Sequence, residues 1–274
     1  MSPMNYYIVI GASRGVGAAI VAQLLSPEAV VIAVSRSGSD ELTALAQERN
    51  APLHWLSRDL SDPVAADSLM EEITAIVNTH GDPDQPQHQA DTPDQRRAQP
   101  ELVALFLSAA QLEPIGVAGT LDSGAVDAAV RLNLSTAITV TQQFLRHYGA
   151  APYPVRGILL SSGASQRVMP GLSVYSATKA GMNAFVRSAQ VEINGAPEKF
   201  PDVKLYAVSP GKVDTAMQET LRGTDAAALP EREIYQRWKA EGTLATPAET
   251  ARKLVALLTR NDLEPGSYVH MTDL

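Results

Sequence analysis

Short apolar runs alternate with longer segments of helical periodicity along most of this chain. Runs rich in Val, Ile and Leu predict strands at 6–10, 29–34, 53–56, 102–107, 155–161, 203–208 and 267–271. Apolar residues at helical spacing predict a helix from residue 16 onward and others at 39–48, 64–78, 125–147, 173–194 and 247–260. Alternating strands and helices predict an α/β fold in which helices cover both faces of one doubly wound parallel sheet of about seven strands.

Several polar or turn-forming residues follow directly after predicted strands. These are Gly11, Asp59, Ser108, Ser162 and Pro210. Ligands bind outside the carboxyl ends of the strands in such sheets, so we expect these residues to gather at one edge as one site.

Composition narrows the possible functions. The 274 residues, 45% of them apolar, suit one domain spanning 1–274 with a large core. A net charge of −8 argues against a nucleic-acid partner, and the absence of cysteine excludes thiol catalysis and Cys–zinc sites. No run approaches the ~20 apolar residues that span a bilayer, and the first residues do not resemble a secretory signal. We therefore expect a cytoplasmic protein without membrane contact.

One segment interrupts the alternation. Residues 79–100 are polar and rich in proline, and they predict a surface loop insertion because they cannot bury enough apolar area to offset the entropy of ordering. His80 and His88 lie in this loop, where isolated histidines seldom bind metal. We predict no metal site.

A glycine-rich turn follows the first predicted strand. Gly11, Gly15 and Gly17 lie between that strand and a helical pattern. Glycines permit a tight turn and close approach of the backbone to a pyrophosphate, and the helix N-terminus offers free N–H groups. In this context the turn predicts a dinucleotide site.

A second candidate motif combines Tyr175 and Lys179 with Ser162, thirteen residues upstream of the tyrosine. On a helix the tyrosine and lysine share one face. The ammonium is expected to lower the pKa of the phenol, which could then donate a proton to a carbonyl oxygen, while the serine hydroxyl stabilises charge on that oxygen. A surface helix that carries Tyr and Lys by chance is the alternative interpretation of that pair alone.

Together with Pro210-Gly-Lys-Val-Asp-Thr215, these motifs resemble the short-chain dehydrogenase/reductase family over residues 6–269. The stretches at 112–114, 210–218 and 251–269 are most similar to its sepiapterin reductase and benzil (1,2-diketone) reductase branch. The resemblance implies a Rossmann-type sheet and an NADP(H)-dependent enzyme that transfers a hydride to a ketone or 1,2-dicarbonyl substrate. Enoyl reduction is disfavoured because enzymes of that type usually space tyrosine and lysine more widely.

The resemblance also implies site residues. Those implied to bind the cofactor are Gly11, Ser13, Arg14, Gly15, Val16, Gly17, Ser35, Arg36, Asp59, Leu60, Ser108, Ala109, Tyr175, Lys179, Pro210, Gly211, Val213 and Thr215. In this set Asp59 and Leu60 border the adenine, and Val213 and Thr215 orient the carboxamide. Asp59 is equally interpretable as a turn or capping residue before the next helix.

The choice between NADP(H) and NAD(H) depends on the end of the second predicted strand. An NAD-binding chain usually places an acidic residue there to accept hydrogen bonds from the ribose. This chain has Ser35 followed by Arg36, and Arg14 lies in the glycine turn. Two guanidinium groups suit a 2′-phosphate, so we predict NADP(H). Solvated surface arginines are the alternative interpretation.

The resemblance assigns the catalytic roles. Tyr175 donates the proton, Ser162 hydrogen-bonds the substrate oxygen, Lys179 tunes the tyrosine and holds the ribose, and Asn133 completes a proton route. The predicted substrate contacts are Ser162, Gly163, Met169, Met217 and Trp238. Trp238 and Tyr235 either stack on an aromatic substrate or simply pack together.

Two departures from the family pattern leave alternatives open. Ser108-Ala109-Ala110 replaces the usual Asn-Ala-Gly, so a non-catalytic NADP(H)-binding regulatory protein is the alternative function. His270 replaces the acidic residue with which sepiapterin reductases bind the pterin, which favours a ketone or diketone. The predicted helices at 125–147 and 173–194 carry more apolar residues than one buried face needs, so we predict a homodimer or a tetramer.

Overall fold

A computed structural model describes residues 4–79 and 100–274 of the chain. In this part, seven parallel strands form one sheet in the order β3-β2-β1-β4-β5-β6-β7. The strands are β1 (Asn5–Ile10), β2 (Ala29–Ser35), β3 (Leu53–Ser57), β4 (Leu102–Leu107), β5 (Val155–Leu160), β6 (Val203–Ser209) and β7 (Tyr268–His270). The predicted doubly wound parallel sheet is confirmed.

Helices connect the strands. They are α1 (Gly15–Leu24), α2 (Asp40–Glu48), α3 (Pro63–Thr79), α4 (Ser123–Val130), α5 (Thr136–Tyr148), α6 (Ser173–Asn194), α7 (Ala216–Gly223), α8 (Arg232–Ala240) and α9 (Pro247–Ala256). Their ends follow local chemistry. Asp122 caps α4 by accepting from Ala125 N at 2.8 Å, and Thr246 and Glu249 form a capping box at the start of α9.

Two apolar layers sandwich the sheet. Side chains alternate along each strand, so Ile8 and Ile10 face the layer that includes α3, α5 and α6, whereas Val9 faces the layer of α1 and α9. The strands β1, β2, β4 and β5 are buried along nearly their whole length, as expected for a parallel sheet covered on both faces.

Two helix predictions need correction, and two helices went unpredicted. The helix predicted at 125–147 begins at Ser123, and a π-helical stretch, Arg131–Ser135, divides it into α4 and α5. The helix predicted at 247–260 ends at Ala256 and continues as a 3₁₀ turn, Leu257–Thr259. The helices α7 and α8 were not predicted from the sequence. The predicted loop insertion, with His80 and His88, lies outside the described residues.

Candidate active site

The turn after β1 brings backbone atoms into unusually close approach. Gly11 has a φ of +84°, and a Cβ there would lie 2.6 Å from Ala109 N. A Cβ on Gly17 would lie 2.0 Å from Gly11 O. Only glycine fits these two positions, so the turn stays open enough to present the N-terminus of α1 to a ligand.

The segment after β6 reaches the same turn. Thr215 Cγ2 lies 3.5 Å from the Cβ position of Gly15. Val213 pairs with Ala245 in a β-bridge, and Asp214 N donates to Ala245 O at 2.9 Å. This bridge fixes the segment that begins with Pro210 and Gly211, so residues from the two halves of the chain meet at the carboxyl edge of the sheet.

The residues predicted near the adenosine lie at the ends of β2 and β3. Arg14, at the start of α1, and Arg36, after β2, both expose their side chains. Asp59 Oδ1 accepts from Ser61 N at 3.0 Å and from Ser61 Oγ at 2.7 Å, and these bonds, with the Arg36 charge as a smaller cause, lower the pKa of Asp59.

The turn interpretation of Asp59 therefore describes its contacts in this structure. The side chain of Leu60 packs in the core layer of α3, so only its backbone can border a ligand. Ser35 lies close by at the end of β2, where its Oγ donates to Ser37 O at 2.6 Å.

The loop after β4 is fastened by Asn133. Its Oδ1 accepts from Gln111 N and its Nδ2 donates to Gln111 O, both at 2.8 Å. Nδ2 also lies 3.3 Å from Thr178 Oγ1. Ser108 N and Ala109 N both donate to Ile10 O, which ties the start of this loop to the glycine turn. The buried amide of Asn133, which lies in the π-helical stretch, thus holds the backbone of this loop in place.

The serine cluster after β5 has distinct contacts for each member. Ser162 Oγ accepts from Ala164 N at 3.1 Å, which leaves its hydroxyl hydrogen to donate elsewhere. Ser161 Oγ donates to Asn183 Oδ1 at 2.7 Å, and Ser165 Oγ donates to Ser162 O at 2.7 Å. Ser162 is the serine whose side chain acts to lower the pKa of Tyr175.

Tyr175 is buried, with 7% of its surface exposed. Its hydroxyl lies 3.9 Å from Met217 Sδ. Burial raises the pKa of Tyr175 to about 12, although the neighbouring Ser162 side chain acts to lower it. The expectation of a lowered pKa is wrong for this structure, because desolvation outweighs any stabilisation of the phenolate.

Lys179 shares a face of α6 with Tyr175, as predicted, but its amine points toward the sheet. Nζ donates to Leu160 O at 2.7 Å and lies 5.9 Å from the centre of the Tyr175 ring. The side chain is 2% exposed, and burial lowers its pKa to about 8. The lysine is still mostly charged at pH 7 but is already neutral at the higher pH where Tyr175 titrates, so it does not lower the tyrosine pKa.

Apolar side chains surround the tyrosine in a small separate cluster, here called the tyrosine cluster. Its buried members are Leu112, Ala164, Leu172, Tyr175, Leu221, Leu229 and Tyr235, with Ile115, Met169, Met217 and Trp238 packed against them. The predicted substrate contacts Met169, Met217 and Trp238 are thus brought together around Tyr175. Gly163 directly precedes Ala164 of this cluster, and a Cβ there would lie 2.9 Å from Arg167 Nη2.

Trp238 packs against its neighbours but remains partly exposed. The Trp238 ring meets the Tyr235 ring edge-on, with 5.2 Å between their centroids. Lys212 Nζ lies 4.7 Å from the centre of the Trp238 ring. His270, at the end of β7, has Nδ1 2.6 Å from Thr272 Oγ1. Sequence reasoning missed the apolar contributor Leu172, for which no motif exists.

Sequence reasoning also passed over Asn183. Its only signal was the four-residue step from Lys179. Within residues 4–79 and 100–274, no three His, Asp or Glu side chains cluster as metal ligands would. No helix in those ranges has the length and apolar character needed to cross a membrane.

A parallel sheet with a glycine-rich turn before α1, and polar residues collected at its carboxyl edge, defines a dinucleotide-binding α/β protein. The chain belongs to the short chain dehydrogenase family, whose family model matches residues 80–226. Oxidoreductases of this family use a nicotinamide cofactor.

Several relatives align over almost the whole chain. The benzil reductase ((S)-benzoin forming) of Bacillus cereus is 28% identical over 98% of this chain and 100% of its own length. The sepiapterin reductase of Meriones unguiculatus is 27% identical over 97% of this chain and 95% of its own. The crystal structure of the KRED1-Pglu enzyme superposes with a TM-score of 0.76 at 25% identity, covering 97% of this chain and 100% of that one. These relatives support carbonyl reductase activity.

Proposed function

We propose that this protein is an NADPH-dependent carbonyl reductase that converts a ketone or 1,2-dicarbonyl compound to an alcohol. The observation that carries the proposal is the position of the Tyr175 hydroxyl. It lies 3.9 Å from Met217 Sδ, is enclosed by the tyrosine cluster, and is near enough to the Ser162 side chain for that hydroxyl to act on its pKa. A proton donor and a second hydroxyl donor thus lie among apolar side chains, a setting that suits an uncharged carbonyl compound.

The turn after β1 fits a dinucleotide. Gly11 and Gly17 leave no room for a Cβ, so backbone N–H groups can approach a pyrophosphate, and α1 begins at Gly15 with a free N-terminus. Ser13 and Val16 would border the phosphates in the same turn. We assign NADPH rather than NADH because Arg14 and Arg36 expose guanidinium groups where a 2′-phosphate would lie.

When bound, NADPH supplies the hydride that reduces the carbonyl carbon. Ser162 donates a hydrogen bond to the carbonyl oxygen, since its Oγ already accepts from Ala164 N. Tyr175 transfers its proton to the same oxygen, which yields the alcohol. A pKa of about 12 keeps this phenol protonated at neutral pH.

Lys179 acts behind the tyrosine. Its amine, bonded to Leu160 O, is close enough to the ring to stabilise the phenolate left after proton transfer, and it can also donate to the nicotinamide ribose. Asn133 holds the Gln111 backbone beside the route by which a proton returns. Val213 and Thr215, fixed by the bridge to Ala245, orient the carboxamide.

The substrate is inferred to be apolar and aromatic or dicarbonyl in character. Met169, Met217 and Trp238 offer thioether and aromatic surface, and His270 lacks the carboxylate that would bind an amino-pyrimidine. We therefore expect a benzil-like diketone to be a better substrate than sepiapterin.

Oxidation of NADPH, followed by its absorbance with a panel that includes benzil and sepiapterin, tests the proposal. We expect turnover of a diketone and a loss of roughly 10²–10⁴-fold in kcat for Tyr175→Phe, the range typical of a removed general acid. Tyr153→Phe, a half-buried tyrosine outside the site, is the matched control and should retain activity. Full activity of Tyr175→Phe would contradict the assignment, and cofactor binding without turnover of any carbonyl would favour the regulatory alternative.

We further infer that the chain assembles as a homodimer through α5 and α6. Val191 on α6 is 67% exposed, although it lies on a helix whose other face is already buried. Light scattering at micromolar concentration tests this inference, and a Val191→Lys variant should shift the mass toward the monomer.

A further inference from the structure

Asn183 continues the face of α6 that carries the proposed catalytic pair. Tyr175, Lys179 and Asn183 follow one another at four-residue steps, so their side chains point toward the same neighbour. That neighbour is the end of β5. Asn183 Oδ1 accepts from Ser161 Oγ at 2.7 Å, and its Nδ2 donates to Ser165 Oγ at 2.8 Å.

These bonds extend to the backbone of the catalytic serine. Ser165 Oγ donates to Ser162 O at 2.7 Å, and Tyr268 OH donates to the same oxygen at 3.4 Å. One turn earlier on α6, Lys179 Nζ donates to Leu160 O. Successive residues at the end of β5 are therefore tied to successive turns of α6.

We propose that Asn183 is a positioning residue for the proposed carbonyl reduction, because its amide sets the separation between Ser162 and Tyr175. This inference rests on the proposed function. Both hydroxyls must reach one carbonyl oxygen, one from the loop after β5 and the other from α6. Since Asn183 joins these two elements directly, it fixes the distance that the reaction requires.

The two arms of the amide have different consequences. Ser161 is 4% exposed, so its hydroxyl needs a partner and its bond to Asn183 contributes to stability. Ser165 is less buried, and its hydroxyl links Asn183 to the Ser162 backbone by donating to Ser162 O. A positioning role therefore predicts that the Ser165 arm affects the rate more than it affects stability.

The experiment is a double-mutant cycle on steady-state carbonyl reduction. Asn183→Ala and Ser165→Ala are each measured in the wild-type and Ser162→Ala backgrounds, with Asn194→Ala as the control. Asn194 also lies on α6, where its Oδ1 accepts from Gln190 Nε2, far along the helix from the serine cluster.

We expect Asn183→Ala to lower kcat about tenfold, with KM for NADPH little changed, and Ser165→Ala to lower it several-fold. In the Ser162→Ala background both losses should shrink to less than about twofold, because the group being positioned is gone. Asn194→Ala should change the melting temperature without changing kcat.

An unchanged kcat in Ser165→Ala, or a loss of equal size with and without the Ser162 hydroxyl, would overturn the proposal. Ser165→Ala decides the matter if Asn183→Ala does not fold. Hydrogen exchange of a peptide covering residues 160–166 gives a readout that needs no turnover. Faster exchange in Asn183→Ala and Ser165→Ala than in Asn194→Ala supports the positioning role of Asn183, and unchanged exchange refutes it. A wild-type protein that reduces no carbonyl compound would contradict only the proposed function.

Discussion

The glycine turn after β1 and the serine–tyrosine–lysine site between β5 and α6 lie at the same edge of the sheet, but they are built from different parts of the chain. Backbone atoms make the turn, where the Cβ position of Gly17 is 2.0 Å from Gly11 O. Side chains make the second region, through bonds such as Lys179 Nζ to Leu160 O at 2.7 Å.

This difference determines how each region tolerates change. The turn has no alternative packing, because the atom that an added Cβ would meet is a carbonyl oxygen of the main chain. The side-chain region can lose one hydroxyl or amide and keep its fold, because the remaining bonds between β5 and α6 persist. Substitutions should therefore abolish binding in the first region and reduce rate in the second.

The largest effect is expected for Gly17→Ala. The added methyl overpacks the turn at a cost of about 1–3 kcal/mol in the free energy of unfolding. It also displaces Gly11 O, so binding of NADPH should become undetectable by fluorescence titration. Thermal unfolding and titration measure the two effects, and a variant that bound NADPH as the wild type does would show that the turn is not the cofactor site.

Arg36→Ala should have the next largest effect. A lost charge-assisted hydrogen bond of about 1.5–3 kcal/mol corresponds to a roughly 10- to 150-fold rise in Kd for NADPH. Binding of NADH serves as the internal control and should not weaken, because it lacks the 2′-phosphate. Equal weakening for both cofactors would argue that Arg36 does not distinguish them.

A pH titration separates the effect of the Lys179 charge on kcat from its effect on the free energy of unfolding. Burial lowers its pKa from 10.5 to about 8, so kcat for reduction should fall as pH rises through about 8 and the lysine loses its charge. Stability should change in the opposite direction: between about pH 8 and 10.5 the unfolded chain binds more protons, and the native state gains relative to it.

The comparison variant is Lys179→Met. Its melting temperature should exceed that of the wild type most at pH 7 and least at pH 9.5. A difference that does not depend on pH would mean that the buried lysine is not titrating in this range.

The smallest effect is expected for Gly223→Ala, the matched control for the turn. A Cβ at this last residue of α7 meets no atom within 4 Å. The change should stabilise the protein by about 0.4–1 kcal/mol through the unfolded state and leave cofactor binding intact. Chemical denaturation measures it, and destabilisation would indicate that the end of α7 is more tightly packed than the structure shows.

The same contrast explains what could be predicted from the sequence. Glycines between a strand and a helix identify a backbone-built turn, because few other residues can occupy it. Asn183 could not be identified in that way, since its role depends on which side chains the end of β5 presents to α6. The pKa of Tyr175 was predicted in the wrong direction for a related reason: the neighbouring charge was visible in the sequence, but the depth of burial was not.

The π-helical stretch between α4 and α5 carries a consequence for how this chain could vary. Thr136 N donates to Arg131 O, so five residues occupy a turn that an α-helix would complete with four. Deleting one residue there would rotate the preceding helix by about 100° relative to α5. Asn133 would then face away from Gln111 although every motif residue remained in the sequence. A relative whose aligned sequence lacks one residue in this turn is therefore expected to lack the hydrogen bonds between Asn133 and Gln111, whatever amino acids surround the deletion.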